Sequence, residues 1–383
     1  MNAKIHEKGQ YFTKSTDLKN KVLSFILNKP SKILEPSMGR GDLVEELYRK
    51  GVSFDLFEID DTIEPLDPID KQSISYCDFL DKHIESTYDT IIGNPPYVKT
   101  KHGNLYIDFT RKCYELLNTN GELIFIVPSD FIKITSSSNL INEMCKNGTF
   151  THIYHPNKEN LFENASIDII VYRYCKNTNL INNKVLFNDI EKVMTNTNGI
   201  LTFSDNLVSG KSLDSMFEIG VGMVTGKESI FKNAQYGNVS LLNDKNKTEK
   251  YILLDHFPTE DEDINNYMLK NKKELIERKI KKFNENNWFE WGAMRNTKLI
   301  NNNLGKECIY VNNISRKENI AFRDIVQHFG GGLIILIPKV NCDLEKISEY
   351  LNSQDFKKNY MYSGRFKIGH KQLCNSIIPN HII

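Results

Sequence analysis

Long hydrophobic runs are missing from this chain. The longest, Leu333 to Pro338, is far too short to span a bilayer, and the polar start, Met1 to Gln10, lacks the apolar stretch of a signal peptide. Neither membrane insertion nor export is expected, and the cytoplasm is the expected compartment. An excess of charge is missing too, because 49 Lys and Arg balance 49 Asp and Glu. A net charge of zero provides no overall attraction to nucleic acid, so binding there would require basic residues gathered on one face. Cysteine is sparse: Cys77, Cys113, Cys145, Cys175, Cys308, Cys342 and Cys374 stand singly, with no C-x-x-C pair to hold zinc or cycle a disulfide. They read as reduced, buried thiols, and no metal site is expected. Internal repeats and low-complexity blocks are also missing, which excludes solenoid architectures.

What is present is ordinary globular composition, 383 residues with 40% hydrophobic and 26% charged, enough for two domains with proper cores. From Lys32 to about Tyr174, short apolar runs alternate with amphipathic segments. The predicted strands are Lys32 to Glu35, Ser53 to Glu58, Ser73 to Cys77, Thr90 to Gly93, Leu123 to Val127, Thr151 to His155 and Ile167 to Tyr174. Helical spacing covers Asp42 to Lys50 and Ile107 to Leu117, with Asn118-Thr119-Asn120-Gly121 as a helix stop. Such alternation implies an α/β fold with a doubly wound, parallel sheet, whose ligands bind at strand C-terminal ends. After Tyr174 the pattern weakens and the chain to about Val208 looks irregular. A domain boundary is placed near residue 205, dividing 1–205 from 206–383.

The most informative motif is Asn94-Pro95-Pro96-Tyr97, which follows the apolar run ending at Gly93. Asparagine offers a carbonyl oxygen, and the peptide carbonyls around the prolines are further fixed acceptors, because proline locks φ and brings no N–H. Two acceptors suit the two hydrogens of one planar NH2, and Tyr97 supplies an aromatic face for the ring that carries it. A base, a carboxamide and a purely local proline turn all remain compatible with these four residues.

Three carboxylates close successive strands. Glu35 opens Glu35-Pro36-Ser37-Met38-Gly39-Arg40-Gly41, whose glycines let backbone pass close to a ligand. The third glycine of the dinucleotide fingerprint is absent, and the acidic Glu35 would repel a pyrophosphate. A nucleoside cofactor with an amine or sulfonium cation fits better. Glu58, followed by Ile59, is placed to accept ribose hydroxyls, and Asp78 to accept from an adenine amine while Phe79 packs on the ring. Each of the three is also compatible with a helix N-cap or a loop charge.

In their order along the chain, these motifs and Gly9-Gln10-Tyr11-Phe12-Thr13 resemble the gamma class of DNA adenine-N6 methyltransferases, the TaqI-like group of type II restriction-modification systems. The resemblance extends through Asn104-Leu105-Tyr106, Gly121 to Pro128 and Leu161-Phe162-Glu163-Asn164-Ala165. It implies a Rossmann-like sheet, mostly parallel with one antiparallel strand, followed by a mixed C-terminal target-recognition domain. It further implies S-adenosylmethionine as cofactor, covered by Tyr11, Phe12 and Thr13. Glu35 would face the methionine amine, with Pro36, Ser37, Gly39 and Gly41 beside it. Glu58, Ile59, Asp78 and Phe79 would hold the adenosine, and Asn94 and Pro96 would also contact the cofactor. Asn94, Pro95 and Tyr97 would grip a flipped adenine, and Phe162, expected on an exposed loop, would stack on it.

Implied partners are double-stranded DNA and a cognate restriction endonuclease, with the chain itself a monomer. No nuclease segment is expected, because the cofactor-covering motif starts near residue 9. The competing substrates are a glutamine side chain in a protein, an RNA base and cytosine N4. A DNA-binding module with a decayed site is disfavoured, because every chemical position is filled. The layout, with about 180 residues beyond the catalytic half, favours a duplex-reading enzyme. Two basic groups are candidates for the DNA face: Lys270, Lys272, Lys273, Arg278, Lys279, Lys281 and Lys282, and then Lys357, Lys358, Arg365, Lys367 and Lys371 interleaved with Tyr360, Tyr362 and Phe366. Each group is also compatible with a merely solvated surface.

Overall fold

In a computed structural model, residues 12–100, 103–156, 158, 161–162, 167–178, 183–207, 209–362 and 364–383 are described. The chain divides into two compact units after Leu207. In the first, the strands are β1 (Lys32–Glu35), β2 (Ser53–Glu58), β3 (Ile74–Tyr76), β4 (Tyr88–Gly93), β5 (Leu117–Pro128), β6 (Gly148–Tyr154), β7 (Ile169–Lys176), β8 (Lys184–Phe187), β9 (Ile190–Thr197) and β10 (Ile200–Ser204). They form one sheet in the order β10-β9-β8-β6-β7-β5-β4-β1-β2-β3. Strands β3, β2, β1, β4 and β5 run parallel, and β7 enters antiparallel between β5 and β6.

Apolar side chains leave both faces of this sheet. Leu34, Ile91, Leu123, Phe125 and Tyr172 pack on one side with Phe109 and Cys113 of the helix Leu105–Glu115 and Leu140, Ile141 and Met144 of the helix Thr135–Lys146. Ile33, Leu56, Ile92, Ile124 and Val171 pack on the other with Leu18, Val22 and Phe25 of the helix Thr16–Phe25. Burial on both faces is why these strands read as continuous apolar runs rather than as alternation. At the sheet centre, Glu122 is fully buried and ion-paired to Arg173 at 2.7 Å. Its carboxylate also accepts from Thr90 and from the backbone N–H groups of Leu27 and Asn28, which ties the chain leaving the helix Thr16–Phe25 to the sheet.

Several expectations need correction. The helix predicted from Asp42 is regular only over Glu45–Arg49, and the chain before it turns through Gly41. Asn118 to Gly121 is not a helix stop but the start of β5, since the preceding helix has already ended at Glu115. Asn120 takes the left-handed φ of 63° and pairing with β4 shifts register there, so the turn chemistry serves an irregular strand entry. The irregular reading to Val208 also fails: β8, β9 and β10 extend the same sheet, β8 parallel to β6 and the other two antiparallel. These edge strands carry many polar residues, which weakens the apolar signal.

In the second unit a four-stranded antiparallel sheet has the order Phe217–Val221, Leu333–Pro338, Glu307–Asn312, Ala321–Ile325. The chain's longest apolar run is thus a strand paired on both sides, with apolar clusters covering each face. Here Arg278 is 7% exposed, donates to the carbonyls of Leu275, Thr225 and Trp288, and stacks on the rings of Phe231 and Phe283. Burial pulls its pKa down to about 10. It is an internal brace and not a member of a basic face. Lys272 and Lys281 pair with Glu285 and Glu290. In the other basic group Lys357 is buried against the Glu318 carbonyl, and Tyr360 and Phe366 are core residues, so these two aromatics are packing. Among the described residues no helix is long and apolar enough to cross a membrane. Of the seven cysteines, all free, Cys77, Cys145 and Cys342 are half-buried where burial was expected.

Candidate active site

Parallel neighbours place their C-terminal ends on one sheet edge, so the order β4-β1-β2-β3 sets Asn94, Glu35, Glu58 and Asp78 side by side. A cleft of about 500 Å³ runs along this edge. Of the residues singled out from sequence, Phe12, Thr13, Glu35, Pro36, Ser37, Gly39, Glu58, Ile59, Asp78, Phe79, Asn94 and Pro96 line it. Tyr11 lies outside the described residues. Gly41, Pro95, Tyr97 and Phe162 are not among the lining.

The glycine loop shows why two glycines are needed. Gly39 has φ 57°, donates its N–H to Glu58 Oε2 at 2.8 Å, and would press a Cβ to 3.3 Å from the Phe12 ring. Gly41 has φ 88°, and a Cβ there would fall 2.1 Å from Ile69 Cδ1. Gly41 therefore serves the close packing beneath the loop and does not itself line the cleft. Arg40 is held by two bonds to Asp42 and lies 5.1 Å over the Phe12 ring. Phe12 thus packs against both Gly39 and Arg40, a contact that sequence reasoning missed because it joins segments well separated along the chain.

Glu35 is 1% exposed and accepts from the Ser37 N–H at 3.1 Å. Among the described residues no lysine or arginine forms an ion pair with it. Burial, partly opposed by that hydrogen bond and reinforced by the Glu58 charge, raises its pKa to about 8. A buried carboxyl group in this state ionises when a cation is brought beside it. Glu58 Oε1 accepts from the N–H groups of Ile59 and Asp60, both at 3.0 Å, so the side chain is held rigidly at the end of β2. Asp78 is exposed, with one oxygen capping the Leu80 N–H at 2.9 Å. Phe79 is wedged between Phe57 and Phe109. Ile59 keeps two thirds of its surface exposed at the cleft wall. A buried carboxyl group that an ammonium would ionise at one end, fixed hydroxyl acceptors in the middle and an apolar wall with a carboxylate at the other end fit S-adenosylmethionine: ammonium, ribose and adenine in that order.

At the Asn94 end, the side-chain amide is oriented from both sides. Its Nδ2 donates to Thr13 Oγ1 at 3.0 Å, and its Oδ1 accepts from the Tyr97 hydroxyl at 2.6 Å. The Tyr97 hydroxyl also lies 3.2 Å from the Ile126 carbonyl. Ser37 Oγ reaches the Asn94 carbonyl at 3.5 Å. Gly93 is required just before: a Cβ there would come within 3.0 Å of Glu35 Oε1 and 2.9 Å of the Phe125 ring. The Tyr97 and Phe162 rings meet edge to face, 6.1 Å apart at 76°. Phe162 is 5% exposed, which corrects the expectation of an exposed loop aromatic. The two rings touch directly, with no room for a third flat ring between them in this conformation.

The sheet order, the reversed β7 and this cleft give the first unit the Rossmann-like, doubly wound sheet found in methyltransferases. Residues 42–162 match the Eco57I restriction-modification methylase family. The chain is 27% identical to the type II methyltransferase M.HindII of Haemophilus influenzae over 90% of its own length and 83% of that protein. Against the modification methylase CviBIII of Paramecium bursaria Chlorella virus NC1A it is 31% identical over 33% of this chain and 39% of that one. Among solved structures, the type IIL restriction-modification enzyme MmeI in complex with DNA shares the fold, with a TM-score of 0.56 at 11% identity over 94% of this chain. The present chain spans 64% of MmeI and 39% of M.HincII, a type II methyltransferase to which it is 28% identical. The chain is thus a relative of the type II restriction-modification methyltransferases.

Proposed function

We propose that the protein is a site-specific DNA methyltransferase that acts on adenine N6 of a base turned out of the duplex, using S-adenosylmethionine. The observation that carries this reading is the Asn94 amide, fixed by Thr13 and Tyr97 at the end of the cleft that Glu35, Glu58 and Asp78 line. The bound cofactor supplies an electrophilic methyl group on a sulfonium. Adenine N6 is a poor nucleophile because its lone pair is delocalised into the ring. Asn94 Oδ1, which has a second lone pair beyond the one taken by Tyr97, and the Pro95 carbonyl are acceptors for the two N6 hydrogens. As the nitrogen attacks, those hydrogens become more acidic and the two bonds strengthen, which lowers the transition state more than the ground state. No strong general base is needed, since the proton leaves to water after transfer.

Turning out the base costs roughly a few kcal/mol of pairing and stacking. Tyr97 and Phe162 are the aromatic pair at the site to offset it, and their direct contact must open to admit the base. The 1–205 segment acts as the catalytic half and 206–383 as the DNA-reading half of a monomer, and a restriction endonuclease of the same specificity is the natural companion. Incubation with S-adenosylmethionine and unmodified genomic DNA, followed by base-resolved mapping of modification, tests the proposal. N6-methyladenine at one recurrent sequence is the expected result. Methylated protein or RNA without modified DNA would overturn it, and N4-methylcytosine would correct the target base.

A further inference from the structure

Lys112 plays no part in the chemistry above, yet it joins two walls of the cleft. It lies on the helix Leu105–Glu115, whose Leu105 and Phe109 line the cleft. Its ammonium donates to the carbonyls of Phe79 at 2.5 Å, Leu80 at 2.9 Å and Lys82 at 2.6 Å, and lies 4.8 Å from the centre of the Phe79 ring. Those carbonyls belong to the turn that starts at Asp78, where Lys82 N–H bonds the Asp78 carbonyl and Asp78 Oδ1 caps Leu80 N–H. One tight turn is therefore closed at its N-terminal side by Asp78 and at its open carbonyl side by Lys112. Asp78, Phe79 and Leu80 all face the cleft.

An ammonium has three N–H donors in tetrahedral array, and three converging carbonyls form a concentrated negative end that water satisfies less rigidly. Charge-assisted bonds of this kind hold geometry that neutral packing leaves loose. We infer that Lys112 is a positioning residue that presets the adenine end of the cofactor cleft by fastening the Asp78–Lys82 turn to the helix Leu105–Glu115. The inference rests on the adenosine reading of that end of the cleft. It gives the helix a second task besides burying Phe109 and Cys113: its polar edge sets the distance between the Asp78 carboxylate and the apolar wall.

The test titrates the full-length protein with S-adenosylhomocysteine and, separately, with adenosine by calorimetry, in wild type, Lys112→Arg, Lys112→Gln and Lys112→Met, with melting temperatures recorded alongside. Expected is a loss of about tenfold in Lys112→Met, the scale of one charge-assisted hydrogen bond, equal for both ligands because the defect lies at the adenosine end. Lys112→Gln should fall between, and Lys112→Arg should recover most of the affinity. A lowered melting temperature with unchanged affinities would overturn the positioning role and leave a structural one. If Lys112→Met does not fold, the Arg and Gln variants carry the same comparison, and equal affinity in wild type and Lys112→Gln overturns the inference. Wild type that binds neither ligand would refute the cofactor reading itself, a result distinct from a wild type that binds and variants that bind equally well.

Discussion

The two ends of the site are in different states. At the cofactor end the cleft is open, and its polar groups are held by backbone N–H donors: Glu58 by Gly39, Ile59 and Asp60, and Glu35 by Ser37. At the target end the groups satisfy one another, with Tyr97 bonded to Asn94 and its ring set against Phe162. On the proposed function, the contrast teaches that affinity for a cofactor is prepared in the fold, whereas a place for the target is made by separating contacts that already exist. A small, constant ligand suits a preset cleft. Under the proposed function, a base turned out of a duplex suits a slot whose aromatic walls rest on each other, because two separated rings would expose apolar surface to water.

Replacing Asn94 by Ala is the sharpest way to break the comparison. Methylation should fall about a thousandfold, the scale found when one oriented group is removed from a transition-state cradle. Affinity for S-adenosylhomocysteine, measured by calorimetry, should stay within about threefold, since most of the cleft is untouched. Comparable loss at both ends would show that the two are one unit.

Glu35 probes the cofactor end through pH. Its folded pKa of about 8 lies above the ordinary 4.5, so the protonated form is favoured below pH 8. Its contribution to stability is full below about pH 4.5 and is lost as pH rises through 8, by roughly 5 kcal/mol at most. A ligand ammonium reverses the preference, so binding below pH 8 releases a proton. Affinity for S-adenosylhomocysteine should therefore rise as pH increases from 6 to about 8, by up to roughly tenfold per unit. In Glu35→Gln the pH dependence should flatten and affinity at pH 8 should drop about a hundredfold. A wild-type affinity independent of pH would refute the ammonium assignment.

Phe162→Ala sharpens the target end with the smallest effect. Transfer to a paired adenine should slow by about tenfold, with a smaller loss when the adenine is already unpaired, because less unstacking needs to be offset. Equal loss on both substrates would count against base stacking and leave Phe162 as packing for Tyr97.

How much of this could be read in advance depends on the range of the interaction. Lys32–Glu35 and Ser53–Glu58 are matched to the residue because short runs whose C-terminal halves are buried, Ile33-Leu34 and Leu56-Phe57, stand between polar turns. Glu35, Glu58 and Asp78 could be chosen because parallel topology carries successive strand ends to one edge. The strands from Lys184 to Ser204 were hidden, since an edge held by backbone pairing needs no apolar pattern. Arg40 over Phe12 and the Lys112 tripod were equally hidden. A lysine that caps three carbonyls more than twenty-nine positions away looks in sequence like any surface lysine on a helix.

Residue order alone settled which chemical groups the protein possesses: the Asn-Pro-Pro-Tyr acceptors, the strand-end carboxylates, and the glycines whose φ angles admit few other residues. These are local properties, dictated by covalent structure and by the short periods of strand and helix. Their working state was decided by the folded packing. Burial made Glu35 a carboxyl that awaits a cation, turned Arg278 from an apparent surface charge into an internal brace, and closed Phe162 onto Tyr97. Desolvation and contact depend on what surrounds a group in space, and distant segments of the chain supply those surroundings.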